Sequence, residues 1–317
     1  MKRIRQAVIA LSTGLALLLS LAGCGLVADA PKQWSRGTGD ISIVATSNVW
    51  ADLAYQIGGK AVTSHAIIFN VNQDPHSYEA TVRDRLLVEK ADLILLNGGG
   101  YDDFMLQLTK EANSQRAPLI NAVEVAGTRP DGNEHIWFSI DRVRKVASAV
   151  ASQLKKVVRP NDNVDIEANL AAVNAKLDAA QARIEQLRPF VAGRKAVLAE
   201  PVAAYLAEAL YVVDATPMAF TKAVEEDRDV SPETAKELKQ LLASGEVALL
   251  VFNAATFGSQ PQKLLESSGQ DVPATEIGEL LPQDPDTFQW SGDFFDYLKN
   301  SIYAFGLMKG VPSDWSY

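Results

Sequence analysis

The stretch "IEANLAAVNAKLDAAQARIEQL" (Ile166 to Leu187) carries the longest regular pattern in the 317-residue chain. Its apolar residues fall at Ile166, Leu170, Val173, Leu177, Ala180, Ile184 and Leu187, at intervals of four and three that never slip. That spacing places them on one face and predicts a single amphipathic helix of about 25 residues, about 37 Å long. A coiled-coil seam would share the spacing. Three heptads are marginal for one, however, and charges do not clearly flank the seam, so a long helix packed along a globular body is the better reading.

On both sides of this helix, short apolar runs alternate with helical patterns. Before it come the strand-like "ISIVATS" (Ile41 to Ser47), with a helix starting near Asn48, then "VTSHAIIF" (Val62 to Phe69) and the helical "TVRDRLLVEKA" (Thr81 to Ala91). "DLILLNGGG" (Asp92 to Gly100) is a further strand ending in a glycine turn, followed by the helical "YDDFMLQLTKEA". After it, "KAVLAEP" leads into "VAAYLAEAL". "SPETAKELKQLLASG" then has Ser231 as N-cap and Pro232 at the first helical position, "VALLVFN" is a strand, and "GDFFDYLKNSIYAFGLM" is a last helix. The alternation predicts an α/β fold: two lobes with mainly parallel sheets flanked by helices, joined by one long backbone helix. The expected boundaries are an N-terminal lobe over 41–163, the linking helix over 164–190 and a C-terminal lobe over 191–317.

The chain begins with Lys2, Arg3 and Arg5, then an apolar run from Ala7 to Gly23, then Cys24, its only cysteine. The run is short for a membrane span, which needs about 20 residues, and reads as a signal peptide over 1–23. "LAGC" before the cleavage point resembles a bacterial lipobox, which implies lipidation of Cys24. A tether over 24–40 would follow, and the protein would be extracytoplasmic and lipid-anchored to the cell membrane. Loss of those three cations reduces 30 basic residues to 27 against 39 acidic ones, so the formal charge moves from −9 to −12. That balance excludes nucleic acid as a partner.

Ligands of open α/β sheets bind beyond the carboxyl ends of the strands. Four polar residues fall at such places: His76, His135, Glu200 and Glu279. The chain has only three histidines. The third, His65, lies inside an apolar strand and reads as structural.

These contexts resemble a known family, the solute-binding proteins of ABC importers for zinc and manganese. "DPHSYEAT" (Asp74 to Thr81) looks like its first-ligand motif, and "ADLILLNGGGYDDFM" like the strand and turn that follow. "NEHIWFSI" (Asn133 to Ile140) resembles the second motif, with Asn133-Glu134 in place of the usual Asp-Pro. "EPVAAY" (Glu200 to Tyr205) matches the third, with glutamate where many members carry histidine. "VPATEIGELLP" (Val272 to Pro282) offers Glu279 as the fourth ligand, with Glu276 as an alternative three residues earlier. If that segment is extended, the two side chains point to opposite faces.

The resemblance implies a metal-binding protein that is not an enzyme. It would hold Mn2+ or Zn2+ through His76, His135, Glu200 and Glu279, with Asp74 or a backbone carbonyl fixing the His76 tautomer. It would pass the ion, as a monomer, to an ABC permease and its ATPase. Two imidazoles and two carboxylates neutralise a divalent ion and suit manganese, zinc or iron better than copper(I) or magnesium. Many zinc-binding members carry a long His-rich loop. The equivalent segment here, Ala126 to Asn133, is short, which leans towards manganese and leaves zinc open. Three other readings compete: a binder of chelated metal or another small molecule, a metallohydrolase, and a surface adhesin. A hydrolase would need an open metal position for water, and the chain has no G-x-S-x-G and no HExxH.

Overall fold

The computed structural model describes residues 34–71, 73–112, 117–225, 228–253, 271–282 and 292–312. The signal peptide, Cys24 and the first part of the tether lie outside the described residues. Among those residues, no helix is long and apolar enough to cross a membrane.

Two sheets carry the fold. The first has the order β1-β3-β2-β4-β5. Its strands are β1 (Ser35–Arg36), β2 (Ile41–Ser47), β3 (Val62–Ile68), β4 (Leu93–Leu96) and β5 (Leu119–Asn121). Every pairing in it is parallel except that of β1 with β3. The second has the order β7-β6-β8-β9 and is parallel throughout. It is built from β6 (Lys195–Leu198), β7 (Val213–Asp214), β8 (Val247–Phe252) and β9 (Ala274–Glu276).

The apolar runs are buried on both faces, and the strand period of two divides them between layers. In β2, Ile43 and Ala45 enter the central core while Val44 joins an outer cluster with Ile94, Leu96 and Met105. In the second sheet, Ala196, Leu198, Leu249 and Val251 point to the same central core, and Val197 and Leu250 to an outer layer with Phe220 and Leu242. One continuous core therefore runs between the inner faces of both sheets.

The helices of the first half are α1 (Asn48–Gly58), α2 (Val82–Glu89), α3 (Asp103–Glu111), α4 (Ala122–Ala126) and α5 (Ile140–Val157). Thr81 and Asp84 form a capping box at the start of α2. The long helix, α6, spans Ile166–Val191, with the Asp165 side chain accepting from Ala168 N at its start. Its apolar face, Ile166, Val173, Leu177, Ile184, Leu187 and Val191, is buried in the central core of this same chain. The seam a coiled-coil partner would use is thus covered internally. Beyond it come α7 (Ala204–Ala209), α8 (Met218–Glu225), α9 (Pro232–Ala243) and α10 (Phe294–Phe305).

Two of the departures from the sequence reading lie at β1 and α5. The tether read as far as Asp40 ends earlier in the chain. Trp34 is buried, and Ser35 and Arg36 pair with His65 and Ser64 of β3. An apolar anchor draws this polar segment onto the sheet edge. The second departure is α5, which was not anticipated. Its buried residues Ile140, Val143, Val146, Ala147, Val150, Ala151 and Leu154 nonetheless recur at helical spacing.

Candidate metal centre

His76 lies in the loop after β3, on a short 3-10 turn over Pro75–Ser77. Asp74 shapes that turn: its Oδ1 accepts from His76 N at 2.9 Å, and its Oδ2 accepts from Ser77 Oγ at 2.8 Å. The same Oδ1 lies 3.1 Å from His76 Nδ1. With Nδ1 facing a carboxylate, the neutral ring carries its proton there and presents the Nε2 lone pair. Nε2 in turn lies 3.1 Å from Oε1 of Glu134. The side chain of His76 remains 41% exposed.

His135 repeats this device in a buried setting. Asn133 Oδ1 accepts from His135 N at 3.0 Å and lies 3.3 Å from its Nδ1. The residue is 4% exposed and sits against the rings of Trp137 and Tyr101. Among the described residues its Nε2 has no hydrogen-bond partner, and it stands 4.0 Å from Glu279 Oε1.

The carboxylates come from the second sheet. Glu200 follows β6 and is 7% exposed; Glu279 lies three residues past the end of β9 and is 8% exposed. Glu276, the last residue of β9, is exposed to solvent. Of the two glutamates left open by the sequence, Glu279 is the one brought to the histidines. Glu200 precedes a helical turn but makes no capping hydrogen bond there, so its burial is not explained as a helix cap. Asn253, at the end of β8, donates from Nδ2 to Glu200 Oε2 at 3.0 Å and to Glu279 Oε1 at 3.3 Å. Among the described residues, Glu200 Oε1 and Glu279 Oε2 have no hydrogen-bond partner.

Buried polar atoms are almost always satisfied. Three candidate donors here, on His135, Glu200 and Glu279, are not. Among the described residues, no three His, Cys, Asp or Glu side chains are yet drawn together tightly enough to hold an ion. A cavity of about 990 Å³ reaches this cluster and is lined in part by Asp74, Asn253 and Glu279. His65 stands apart on β3, with burial pushing its imidazole pKa down.

The electrostatics divide the donors. Burial works against a charge on His76, but the Glu134 hydrogen bond and the negative charges of Glu279 and Glu134 outweigh it and hold the ring up to about 9. Burial pushes His135 down to about 4, so this ring is neutral at pH 7. Burial, reinforced by the charge of Glu279, pushes Glu200 up to about 8. Burial also lifts Glu279 to about 7, against the pull of His76.

Sequence reasoning missed Asn253 and Glu134. Asn253 could have been found as a polar residue ending the strand "VALLVFN". Glu134 had no such signal, only its place beside His135.

The sequence matches the family model described as "Zinc-uptake complex component A periplasmic" over residues 43–303. It is similar to the metal ABC transporter substrate-binding lipoprotein FimA of Streptococcus parasanguinis, with 27% identity over 265 residues, 78% of this chain and 83% of that protein. It is also similar to the manganese ABC transporter substrate-binding lipoprotein PsaA of Streptococcus pneumoniae serotype 4, with 27% identity over 282 residues, 84% of this chain and 85% of that protein. In fold it is like the periplasmic zinc-binding protein TroA of Treponema pallidum, with a TM-score of 0.69 and 18% identity, covering 86% of this chain and all of that one.

Proposed function

Because the chain belongs to the family of the periplasmic zinc-uptake complex component A, we propose that it captures a divalent transition-metal ion, Mn2+ or Zn2+, and delivers it to an ABC permease. The ion is cargo, and the protein is a carrier rather than an enzyme. The observation that supports this most is the set of buried donors on His135, Glu200 and Glu279 that have no partner among the described residues, beside the Nε2 face of His76. The names of FimA and PsaA, metal and manganese transporter substrate-binding lipoproteins, point the same way.

In this reading the ion sits between a first lobe, ending near residue 163, and a second, starting near residue 191, with 164–190 as the connecting helix. Residues 1–23 are a signal peptide, and Cys24 carries lipid that holds the protein, as a monomer, on the outer side of the membrane beside its permease. Cys24→Ala should move the protein from the membrane fraction to the soluble fraction or leave its precursor uncleaved. A variant processed and membrane-bound like the parent would refute the anchor.

Capture itself is tested by thermal melting of metal-stripped protein. At a free ion concentration 100 times Kd, mass action adds about 2.7 kcal/mol of stability. Manganese and zinc should raise Tm and magnesium should not. The shift should also depend on pH. His76, Glu200 and Glu279, held up to about 9, 8 and 7, keep protons that the ion must displace near pH 7. Affinity should therefore weaken as pH falls, by about tenfold or more per unit below pH 7. The protein without metal behaves oppositely at Glu200. Its folded pKa is raised, so the stability it contributes is present below its unfolded value and lost as pH rises through about 8. The rise in Tm on adding metal should be larger at pH 8 than at pH 6. No rise with any transition metal would reject the function.

A further inference from the structure

Glu134 occupies the position where the second motif of the family usually has proline, and its carboxylate points into the donor cluster. Its Oε1 lies 3.1 Å from His76 Nε2. Asp74 faces the other ring nitrogen, so Nε2 is the only atom of His76 that can bind an ion. Two donors each about 2.1 Å from one ion are about 3.0 Å apart when they subtend a right angle, and about 3.4 Å apart in a tetrahedron. The observed 3.1 Å separation is that of the His76–Glu134 hydrogen bond, and an ion that replaces the proton on Nε2 would meet the same Oε1 within ligand reach.

We propose that Glu134 is a fifth protein donor to the captured ion, bound beside His76, and that it biases the centre towards manganese. This rests on the metal-capture reading above. The backbone of Glu134 is well placed for the role. Its carbonyl accepts from Asn97 Nδ2 at 3.0 Å and from Ile136 N at 2.7 Å. Gly99, at φ +73°, leaves room for it: a Cβ there would stand 3.0 Å from Glu134 Cβ. The side chain is 20% exposed and keeps freedom to adjust.

A third carboxylate changes the chemistry of the centre. Zinc in a closed site takes four donors in a tetrahedron. Manganese accepts higher coordination numbers and favours carboxylate oxygen. Five donors with three carboxylates serve the second ion better than the first.

The test uses the full chain with Glu134→Gln and Glu134→Ala. Mn2+ and Zn2+ affinities are measured by competition with a chelator, and the manganese shell is counted by X-ray absorption. Melting curves of the metal-stripped proteins show whether each variant is folded, and glutamine preserves the side-chain shape should alanine perturb the loop. Both variants should lose Mn2+ affinity by at least about tenfold, the scale on which even outer partners of a metal site act. Zn2+ affinity should fall less, and Glu134→Ala should lose one oxygen from the shell. Unchanged or tighter Mn2+ binding in both variants would overturn the proposal, because Glu134 would then be a spectator or a competitor for His76. A parent chain that binds neither ion would instead overturn the function on which the proposal stands.

Discussion

His135→Ala should lower affinity for manganese and zinc by at least about a hundredfold, beyond the tenfold to hundredfold that outer-shell partners carry. Its Nε2 is buried without a partner among the described residues, and Asn133 holds the opposite edge of the ring. Because burial keeps the ring neutral at pH 7, its lone pair is available without releasing a proton, unlike that of His76. Glu279→Gln should also weaken binding strongly and make it less dependent on pH, since one donor no longer has a proton to lose. Two controls accompany these variants. His65→Ala, on β3, and Glu276→Gln, on the exposed end of β9, should leave binding nearly intact. Calorimetry is the measurement. A larger loss from His65→Ala than from His135→Ala would sink the assignment, and loss from Glu276→Gln alone would mean that the wrong glutamate was chosen.

Asp52→Ala should destabilise the fold by about 3–5 kcal/mol, the cost of breaking a buried charged network from one side. Asp52 lies on α1 and its side chain is fully buried. It accepts from Arg36, from Gln56 Nε2 at 2.8 Å and from Phe294 N at 2.9 Å. Phe294 N opens α10 and has no acceptor within its own helix. One carboxylate thus ties together the sheet edge, the first helix and the last. Burial drives its pKa upward in spite of these partners, so they offset the burial cost only in part. Tm should fall by about 10 °C. Asp52→Asn, which keeps the shape and removes the charge, should cost less. A loss below about 1 kcal/mol in urea melts, the size of an ordinary surface change, would show that the network is not what joins these elements.

The fold was legible wherever apolar spacing alone determines an element. The strands Ile41–Ser47, Val62–Ile68 and Val247–Phe252 and the helix Ile166–Val191 all follow from their periods. Elements held by distant contacts were not legible. Ser35–Arg36 is polar and two residues long, and it becomes a strand only because Trp34 is buried beside it. Val213–Asp214 is equally short and exposed, and it owes its place to pairing with β6. The candidate site shows the same limit. His76, His135 and Glu200 could be picked from strand ends and motif contexts. The choice between Glu276 and Glu279 depended on where the strand ends, at the exposed Glu276, and on the burial of Glu279 beyond it, which spacing does not reveal. Glu134 is 58 residues from His76 in the chain, and no local pattern announces a contact at that distance.

The side-chain amides around the site bear on how quickly cargo can leave. Asn48 donates to Leu281 O at 3.1 Å and accepts from Leu281 N at 3.0 Å, two residues beyond Glu279. Asn133, which orients His135, donates to Pro201 O at 2.9 Å, next to Glu200, and its own carbonyl accepts from Tyr205 Oη at 2.7 Å. The segments that carry His135, Glu200 and Glu279 are thereby fastened to the opposite half of the chain. Wide parting of the two sheets would break all four bonds at once. His76 lies outside these straps and is the most exposed of the four donors. If His76 binds the ion as proposed, displacing this one segment would shorten the ion's residence time without breaking the other straps.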